Sequence, residues 1–173
     1  ANPGIEVYND GALFLRFPKS LFFVAEGGPM NLFQGNMPFF KGNLHCHSTL
    51  SDGALSPDEV IEVYRSLGYD FLALTDHRLL SPAAQTKEGM LLLSGTEMDY
   101  SLAGEVVHII GIGMSEEYSR SQSSRLGPQE CIDGMRHYGG RAILAHPAWS
   151  MNTLTTLTGL HNLTAAEIYN SVS

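Results

Sequence analysis

The sequence predicts an α/β fold, because strand-like and helix-like segments alternate from residue 41 onward. The clearest helix start is at Ser56, where Pro57 and Glu59 complete a capping box before an amphipathic segment. The clearest strand is residues 71–74, an all-apolar run that is typical of a sheet buried on both faces. These patterns favour a largely parallel sheet covered by helices.

The remaining elements follow in the same order along the chain. Strands are predicted at residues 43–46, 71–74, 91–96, 106–112, 142–145 and 166–169. Helices are predicted from Ser56 to Gly68 and over residues 128–138, each ending at glycine.

Residues 1–40 differ from the rest of the chain. Short strands at 5–8 and 13–17 flank the turn sequence at 9–11, which indicates a hairpin, and another apolar run follows at 21–24. We therefore expect an N-terminal β extension over residues 1–40 that packs on a main domain formed by residues 41–173.

Composition narrows the classes of function. The net charge of -8 argues against non-specific binding to nucleic acid or anionic membranes, although bound metal ions would still allow a small phosphorylated substrate. Cys46 and Cys131 form no disulfide framework or CxxC site, and no apolar run reaches the roughly 18 residues of a membrane span. The cytoplasm is the favoured compartment, with export after signal-peptide removal as the alternative. The sequence makes no prediction of oligomeric state.

Candidate metal ligands recur at the ends of the predicted strands. In a strand, His45 and His47 would project to the same side, so both rings could bind one ion; the alternative is two unrelated surface histidines. Asp52 follows in a turn, where plain turn chemistry is the alternative. Three further predicted strands are also followed by a potential metal ligand, namely His77, Glu97 and His146.

His108 lies inside an apolar run, where a buried, hydrogen-bonded histidine is the alternative. His137 and His161 fall outside the pattern and are interpreted as surface residues. Imidazole and carboxylate ligands suit Zn, Mn or Fe, whereas a calcium site would need oxygen ligands alone.

These motifs resemble those of the polymerase and histidinol phosphatase (PHP) superfamily of metal-dependent phosphoesterases over about residues 41–170. The elements that carry the resemblance are Asn43-Leu44-His45-Cys46-His47, Ser51-Asp52-Gly53, Thr75-Asp76-His77, Gly95-Thr96-Glu97 and Ala145-His146-Pro147. Within the superfamily, the segments around residues 41–45 and 69–77 look most similar to the carbamate-hydrolase-like branch.

The resemblance implies a distorted TIM-like (β/α)7 barrel with two or three divalent metal ions. By position, His45 and His47 would bind one ion with Glu97 as a bridge to a second. Glu97, His108 and His146 would bind that second ion, and Asp52 and His77 a third. The family's C-terminal Asp-x-His pair does not occur after His146. We therefore expect the barrel to be incomplete at its C-terminal end and the native protein to continue past Ser173.

The predicted activity is hydrolysis of a phosphomonoester or phosphodiester by metal-activated water. Glu97 would be central to it, Asp76 would orient a ligand or simply close the turn, and Arg78 would bind phosphate or remain a solvated loop residue. Asn170 is expected to line the site. One alternative is a metallohydrolase of amide, carbamate or carboxylic ester bonds. Another, motivated by the missing Asp-x-His pair, is a non-catalytic degenerate barrel or binding module.

Overall fold

A computed structural model describes residues 5–7, 13–15, 40–86, 88–121 and 127–170. The first sheet has six strands in the order β1 (Ile5–Val7), β2 (Leu13–Leu15), β3 (Phe40–Asn43), β4 (Phe71–Ala73), β6 (Leu91–Leu93) and β5 (Ala84–Gln85). The second has four strands in the order β10 (Ala165–Ala166), β9 (Arg141–Leu144), β8 (Glu105–Ile112) and β7 (Gly95–Leu102). The helices are α1 (Pro57–Ser66), α2 (Glu117–Ser121), α3 (Pro128–His137) and α4 (Leu154–Thr158). The predicted α/β class is confirmed.

The N-terminal strands form part of the first sheet. β1 pairs antiparallel with β2, and β2 pairs antiparallel with β3, so the predicted hairpin strands extend the edge of this sheet. The predicted turn at 9–11 and the apolar run at 21–24 lie outside the described residues. The domain boundary near residue 40 stays a prediction.

Helix α1 begins and ends where its sequence predicts. Ser56 accepts a hydrogen bond from the Glu59 backbone N–H, and the Glu59 carboxylate accepts one from the Ser56 N–H at 2.8 Å. Gly68 follows the helix with a φ of 74°, a conformation that glycine adopts at little cost. The helix buries Val60 against β4 and its neighbours, where Leu72 and Met90 lie in the same apolar cluster.

The prediction of a largely parallel sheet holds for β3, β4 and β6 but is wrong for the second sheet. There β7, β8 and β9 are antiparallel, and β10 alone pairs in parallel, with β9. The cause is the tight connection between β7 and β8: Ala103 and Gly104 have φ values of 53° and 84°. Positive φ at both central residues is typical of a two-residue hairpin turn, which leaves no room for a crossover helix.

The two faces of β7 and β8 serve different purposes because side chains alternate along a strand. On the outer face, Met98 and Ile109 pack with residues of α3. On the inner face, Ile110 and residues of β9 share an apolar cluster with Phe71 and Ala73 of the first sheet. The two sheets therefore bury a common apolar layer, and the polar site lies at one end of it. No helix within the described ranges is long and apolar enough to cross a membrane.

Candidate metal centre

The carboxylate of Glu97 lies at the centre of a cluster of histidine rings and is 1% exposed. Its Oε2 atom is 3.0 Å from Nε2 of His45 and 2.9 Å from Nε2 of His47. Its Oε1 atom is 2.8 Å from Nδ1 of His108 and 3.3 Å from Nε2 of His146. His77 completes the ring, with Nε2 at 3.9 Å from Oε2.

Glu97 occupies a different position in its strand from the one predicted. The predicted strand over 91–96 is divided into β6 and β7, so Glu97 lies inside β7 rather than after a strand end. The break falls at Ser94, next to a close approach of backbones: a Cβ on Gly95 would lie 2.5 Å from the carbonyl oxygen of Leu74. This break turns the chain from the first sheet into the second and brings Glu97 onto the shared inner face.

His45 and His47 lie beyond the end of β3, so the prediction of a strand over 43–46 is wrong in its bounds. The segment nevertheless runs beside the end of β4. The Cys46 carbonyl accepts a hydrogen bond from the Thr75 N–H at 2.8 Å, and the Cys46 N–H donates to Thr75 Oγ1 at 3.0 Å. This pairing keeps the chain extended, so the two imidazoles still point the same way, with their Nε2 atoms 3.0 Å apart.

The other rings reach Glu97 through pairing of the backbone. The Arg78 N–H donates to the Glu97 carbonyl at 2.8 Å, which places His77 beside Glu97 in an isolated parallel bridge. His108 lies opposite Asp99 in the β7–β8 ladder, diagonal to Glu97. His146 follows β9 with a φ of 26°, uncommon for a residue with a Cβ, and its N–H donates to Glu167 at 2.8 Å.

Asp52 is linked to this cluster through two of the rings. Its Oδ1 atom is 3.1 Å from Nδ1 of His47, and its Oδ2 atom is 3.7 Å from Nε2 of His77. The carboxylate is 67% exposed, so it lies at the outer rim of the centre. Three groups of potential ligands result: His45, His47 and Glu97; His77, Glu97 and His108; and His47, Asp52 and His77.

The contacts among His45, His47 and Glu97 fit a metal ion better than hydrogen bonds alone. The two Nε2 atoms and Oε2 form a triangle with edges of 3.0, 3.0 and 2.9 Å. A ring nitrogen has one hydrogen or one lone pair, so His45 Nε2 can satisfy only one of its two neighbours by hydrogen bonding. Two ligand atoms about 2.1 Å from one ion are about 3.0 Å apart at the right angle of octahedral coordination and about 3.4 Å apart in tetrahedral coordination. The donor set therefore suits a transition-metal ion.

The outward-facing ring nitrogens have partners of the kind that metal-binding histidines use. Nδ1 of His45 is 2.8 Å from Oε1 of Glu167, and Nδ1 of His146 is 3.1 Å from the Ser150 hydroxyl. Glu167 is not among the predicted site residues, because the predicted strand over 166–169 contains it. In fact β10 ends at Ala166, so Glu167 follows a strand end just as His146 does. That local signal would have identified it.

Charge and burial shift the titration of these groups. Burial alone would raise the pKa of Glu97, but hydrogen bonds from His108, His146, His45 and His47 outweigh it and hold that pKa well below the usual range. Burial lowers the pKa of His45, yet its hydrogen bonds to Glu167 and Glu97 prevail and raise it to about 9. Burial would raise the pKa of Glu167, but the hydrogen bond and the charge of His45 lower it by more. Glu97 and Glu167 are therefore charged at neutral pH.

The backbones of Asp76 and Arg78 pair with Glu97, whereas their side chains bind other residues beside the centre. Asp76 is fully buried and accepts hydrogen bonds of 2.8 Å from the Ser48 N–H, the Ser48 hydroxyl and the Ser51 hydroxyl. The Ser51 oxygen is in turn 3.3 Å from Nδ1 of His47. Arg78 donates to both carboxylate oxygens of Asp99, from Nε at 2.9 Å and from Nη2 at 2.6 Å. His137 and His161 are exposed and away from the cluster.

No family model matches the chain. It is 40% identical over 77 residues to a 3′,5′-nucleoside bisphosphate phosphatase of Chromobacterium violaceum, an alignment that covers 42% of this chain and 27% of the relative. It is 34% identical over 85 residues to a 5′-3′ exoribonuclease of Haemophilus influenzae, covering 46% and 31%. The chain thus spans about a third or less of these two relatives.

Two solved structures share the fold. A protein from Bifidobacterium adolescentis assigned as a metal-dependent phosphoesterase superposes with a TM-score of 0.54 at 15% identity, covering 74% of this chain and 77% of that one. A two-domain protein from Bacteroides vulgatus with a predicted PHP-like metal-dependent phosphoesterase gives a TM-score of 0.51 at 21% identity, covering 66% and 37%.

Proposed function

We propose that the chain is a member of the PHP superfamily and that it hydrolyses a phosphomonoester or phosphodiester with two or three bound divalent metal ions. The observation that carries this proposal is the buried Glu97 carboxylate, which faces four histidine nitrogens at 3.3 Å or less. A carboxylate so placed can bind two ions at once, one through each oxygen. Zn, Mn and Fe are the candidates, because the ligands are imidazoles and carboxylates.

The ligands are proposed to divide into three sets around Glu97. His45, His47 and Glu97 would hold the first ion. Glu97 and His108 would hold the second, with His146 or His77 as the next nearest ring. Asp52 and His77, together with His47, would hold the third, at the exposed rim.

Bound ions would lower the pKa of a coordinated water and polarise the phosphoryl oxygen of the substrate. The residues of the chain keep the ligands in place for that chemistry. Glu167 holds the outward nitrogen of His45, and Ser150 holds that of His146, which fixes both rings with Nε2 toward Glu97. The net charge of -8 repels phosphate over most of the protein surface. We therefore expect phosphate to bind only where the positive charge of bound metal ions exceeds the negative charge of the surrounding residues.

Asp76 is proposed as a positioning residue and Arg78 as a phosphate ligand. Asp76 anchors the Ser48–Ser51 turn, and through Ser51 it supports His47. Arg78 is 57% exposed, and Asp99 holds its guanidinium through an ion pair. A guanidinium has five N–H donors, so one side can bind Asp99 while another meets a phosphate.

We also propose that the two sheets belong to a distorted TIM-like (β/α)7 barrel. The support is the inner apolar cluster, to which β4, β8 and β9 all contribute, together with α1 and α3 on the outer faces. His45, His77 and His146 would then follow the carboxyl ends of β3, β4 and β9, the end of the strands at which such barrels build their sites.

The substrate is proposed to be a small phosphorylated molecule. The relative from Chromobacterium violaceum is named as a phosphatase of 3′,5′-nucleoside bisphosphates, which are small phosphorylated molecules. Hydrolysis of amide or ester bonds is the competing function, because the same ions would activate water for either reaction.

A panel of aryl phosphates and aryl carboxylic esters, presented to metal-loaded protein, tests the proposal. We expect metal-dependent release of the aryl alcohol from the phosphates and no comparable release from the esters. Faster turnover of the esters would instead establish the competing function. Bound metal without turnover of either series would indicate a binding module.

A further inference from the structure

Arg78 uses most of its hydrogen-bond donors on one residue, Asp99. Its Nε donates to one carboxylate oxygen of Asp99 at 2.9 Å. Its Nη2 donates to the other carboxylate oxygen at 2.6 Å and to the Asp99 carbonyl at 3.0 Å. A guanidinium has five N–H groups, so this contact uses three of them and leaves the two of Nη1 outside it. The contact therefore fixes the direction in which Nη1 points.

The stability of the fold gives little reason for so specific a contact. The side chains of Arg78 and Asp99 are 57% and 33% exposed, and exposed ion pairs contribute little to stability. Arg78 also has a φ of 60°, which is uncommon for a residue with a Cβ, and its N–H donates to the Glu97 carbonyl at 2.8 Å. Backbone conformations of this kind cluster at functional sites.

Asp99 lies on the same face of β7 as the Glu97 carboxylate. Side chains alternate along a strand, so these two residues project to the same side, about 7 Å apart along it. Asp99 is also directly opposite His108 in the β7–β8 ladder. The pKa of Asp99 is lowered mainly by the hydrogen bonds from Arg78, and the charges of His108 and His77 lower it further. The ion pair therefore lies beside the metal centre.

We propose that Asp99 is a positioning residue, which fixes Arg78 so that Nη1 donates to a terminal oxygen of the substrate phosphoryl group. The inference rests on the proposed phosphoesterase function and adds the residue that orients its phosphate ligand. Phosphate oxygens are charged, so hydrogen bonds from a guanidinium to them are among the strong ones.

The same geometry gives a preference between phosphoesters. A phosphomonoester has three terminal oxygens, so two can bind the metal ions while the third accepts from Nη1 of Arg78. A phosphodiester has two terminal oxygens, and its second ester group would occupy the third position. The pair of Arg78 and Asp99 therefore favours phosphomonoesters.

Ligand binding to the metal-loaded protein tests the positioning role without turnover. Isothermal titration calorimetry measures the affinity for inorganic phosphate and for dimethyl phosphate, which has only two terminal oxygens. We expect Asp99→Ala to weaken binding of inorganic phosphate about ten-fold, the loss of one hydrogen bond between charged groups, and to leave that of dimethyl phosphate unchanged. Asp99→Asn keeps one acceptor oxygen and should have an intermediate affinity; it carries the same comparison if Asp99→Ala does not fold.

A double-mutant cycle shows whether Asp99 acts through Arg78. Arg78→Ala should weaken binding of inorganic phosphate at least as much as Asp99→Ala, and the double variant should lose no more than Arg78→Ala alone. Glu62→Ala is the matched control, because it also removes the carboxylate of an exposed ion pair, the one with Arg65 in α1. It should bind both ligands like the wild type.

Hydrolysis separates this inference from the proposed function. Para-nitrophenyl phosphate and bis(para-nitrophenyl) phosphate share a leaving group, and the ratio of their kcat/KM values should fall about ten-fold in Asp99→Ala. Equal losses for both ligands, or additive losses in the cycle, would overturn the positioning role and leave a metal-dependent phosphoesterase standing. The expected binding pattern without hydrolysis of either substrate would support the positioning role and overturn the phosphoesterase.

Discussion

Replacement of Glu97 by glutamine should abolish most phosphoesterase activity and remove bound metal. The side chain is 1% exposed, and its oxygens face the rings of His45, His47, His108 and His146. Glutamine keeps the size of the side chain, but it removes the negative charge and turns one ligand oxygen into an N–H donor. Two of the three potential ligand groups contain Glu97, so binding of two ions should weaken together.

The size of the effect follows from the position of Glu97 among the ligands. Loss of a residue that only supports a metal ligand costs roughly 10–100-fold in metal affinity or activity. Glu97 would itself be a ligand shared by two ions, so kcat/KM should fall by at least about 100-fold. The metal-free fold should survive, because the Glu97 backbone keeps its pairing with Asp76 and Arg78.

The assay combines kcat/KM on an aryl phosphate with elemental analysis after gel filtration, and circular dichroism reports the fold. Glu116→Gln makes the same chemical change at an exposed position and should match the wild type, as should His137→Ala. Wild-type metal content and turnover in the Glu97→Gln protein would refute the bridging role.

Three further predictions concern metal, Glu167 and pH. Zn or Mn at 100 times its dissociation constant should stabilise the fold by about 2.7 kcal/mol, and a chelator should reverse the rise in Tm; an unchanged Tm would contradict metal binding to the native state. Glu167→Gln should weaken metal affinity roughly 10–100-fold, because His45 loses its charged partner. A competition assay with a chromophoric chelator measures this affinity, and an unchanged value would show that Glu167 does not support His45 as a metal ligand. Hydrogen bonds from Thr153 lower the pKa of Glu105 below its ordinary value of 4.5, so this contact stabilises the fold above pH 4.5 and is lost as pH falls through the lowered pKa. Glu105→Gln should therefore lower Tm at neutral pH but not in strong acid, and an equal loss at both would exclude the ionic contribution.

Much of the local structure follows from the sequence alone. The capping box at Ser56 predicts the start of α1, since its hydrogen bonds form between residues three positions apart. The apolar run at 71–74 predicts β4 as a buried strand. Motifs such as His45-Cys46-His47 and Thr75-Asp76-His77 predict a metal site, because imidazole and carboxylate side chains recur at the strand ends, and their resemblance to the PHP superfamily implies a hydrolase.

Other features depend on contacts that are distant in sequence. The contact between His45 and Glu167 joins residues 122 positions apart, and that between Arg78 and Asp99 joins residues 21 apart. The central place of Glu97 requires the break between β6 and β7, which carries the chain from one sheet to the other. Sequence periodicity reports which face of a segment is buried, whereas packing of the whole chain decides which strands meet and where their side chains converge. The sequence by itself determined the ligand types and the local elements; the tertiary structure decided that their side chains gather around Glu97.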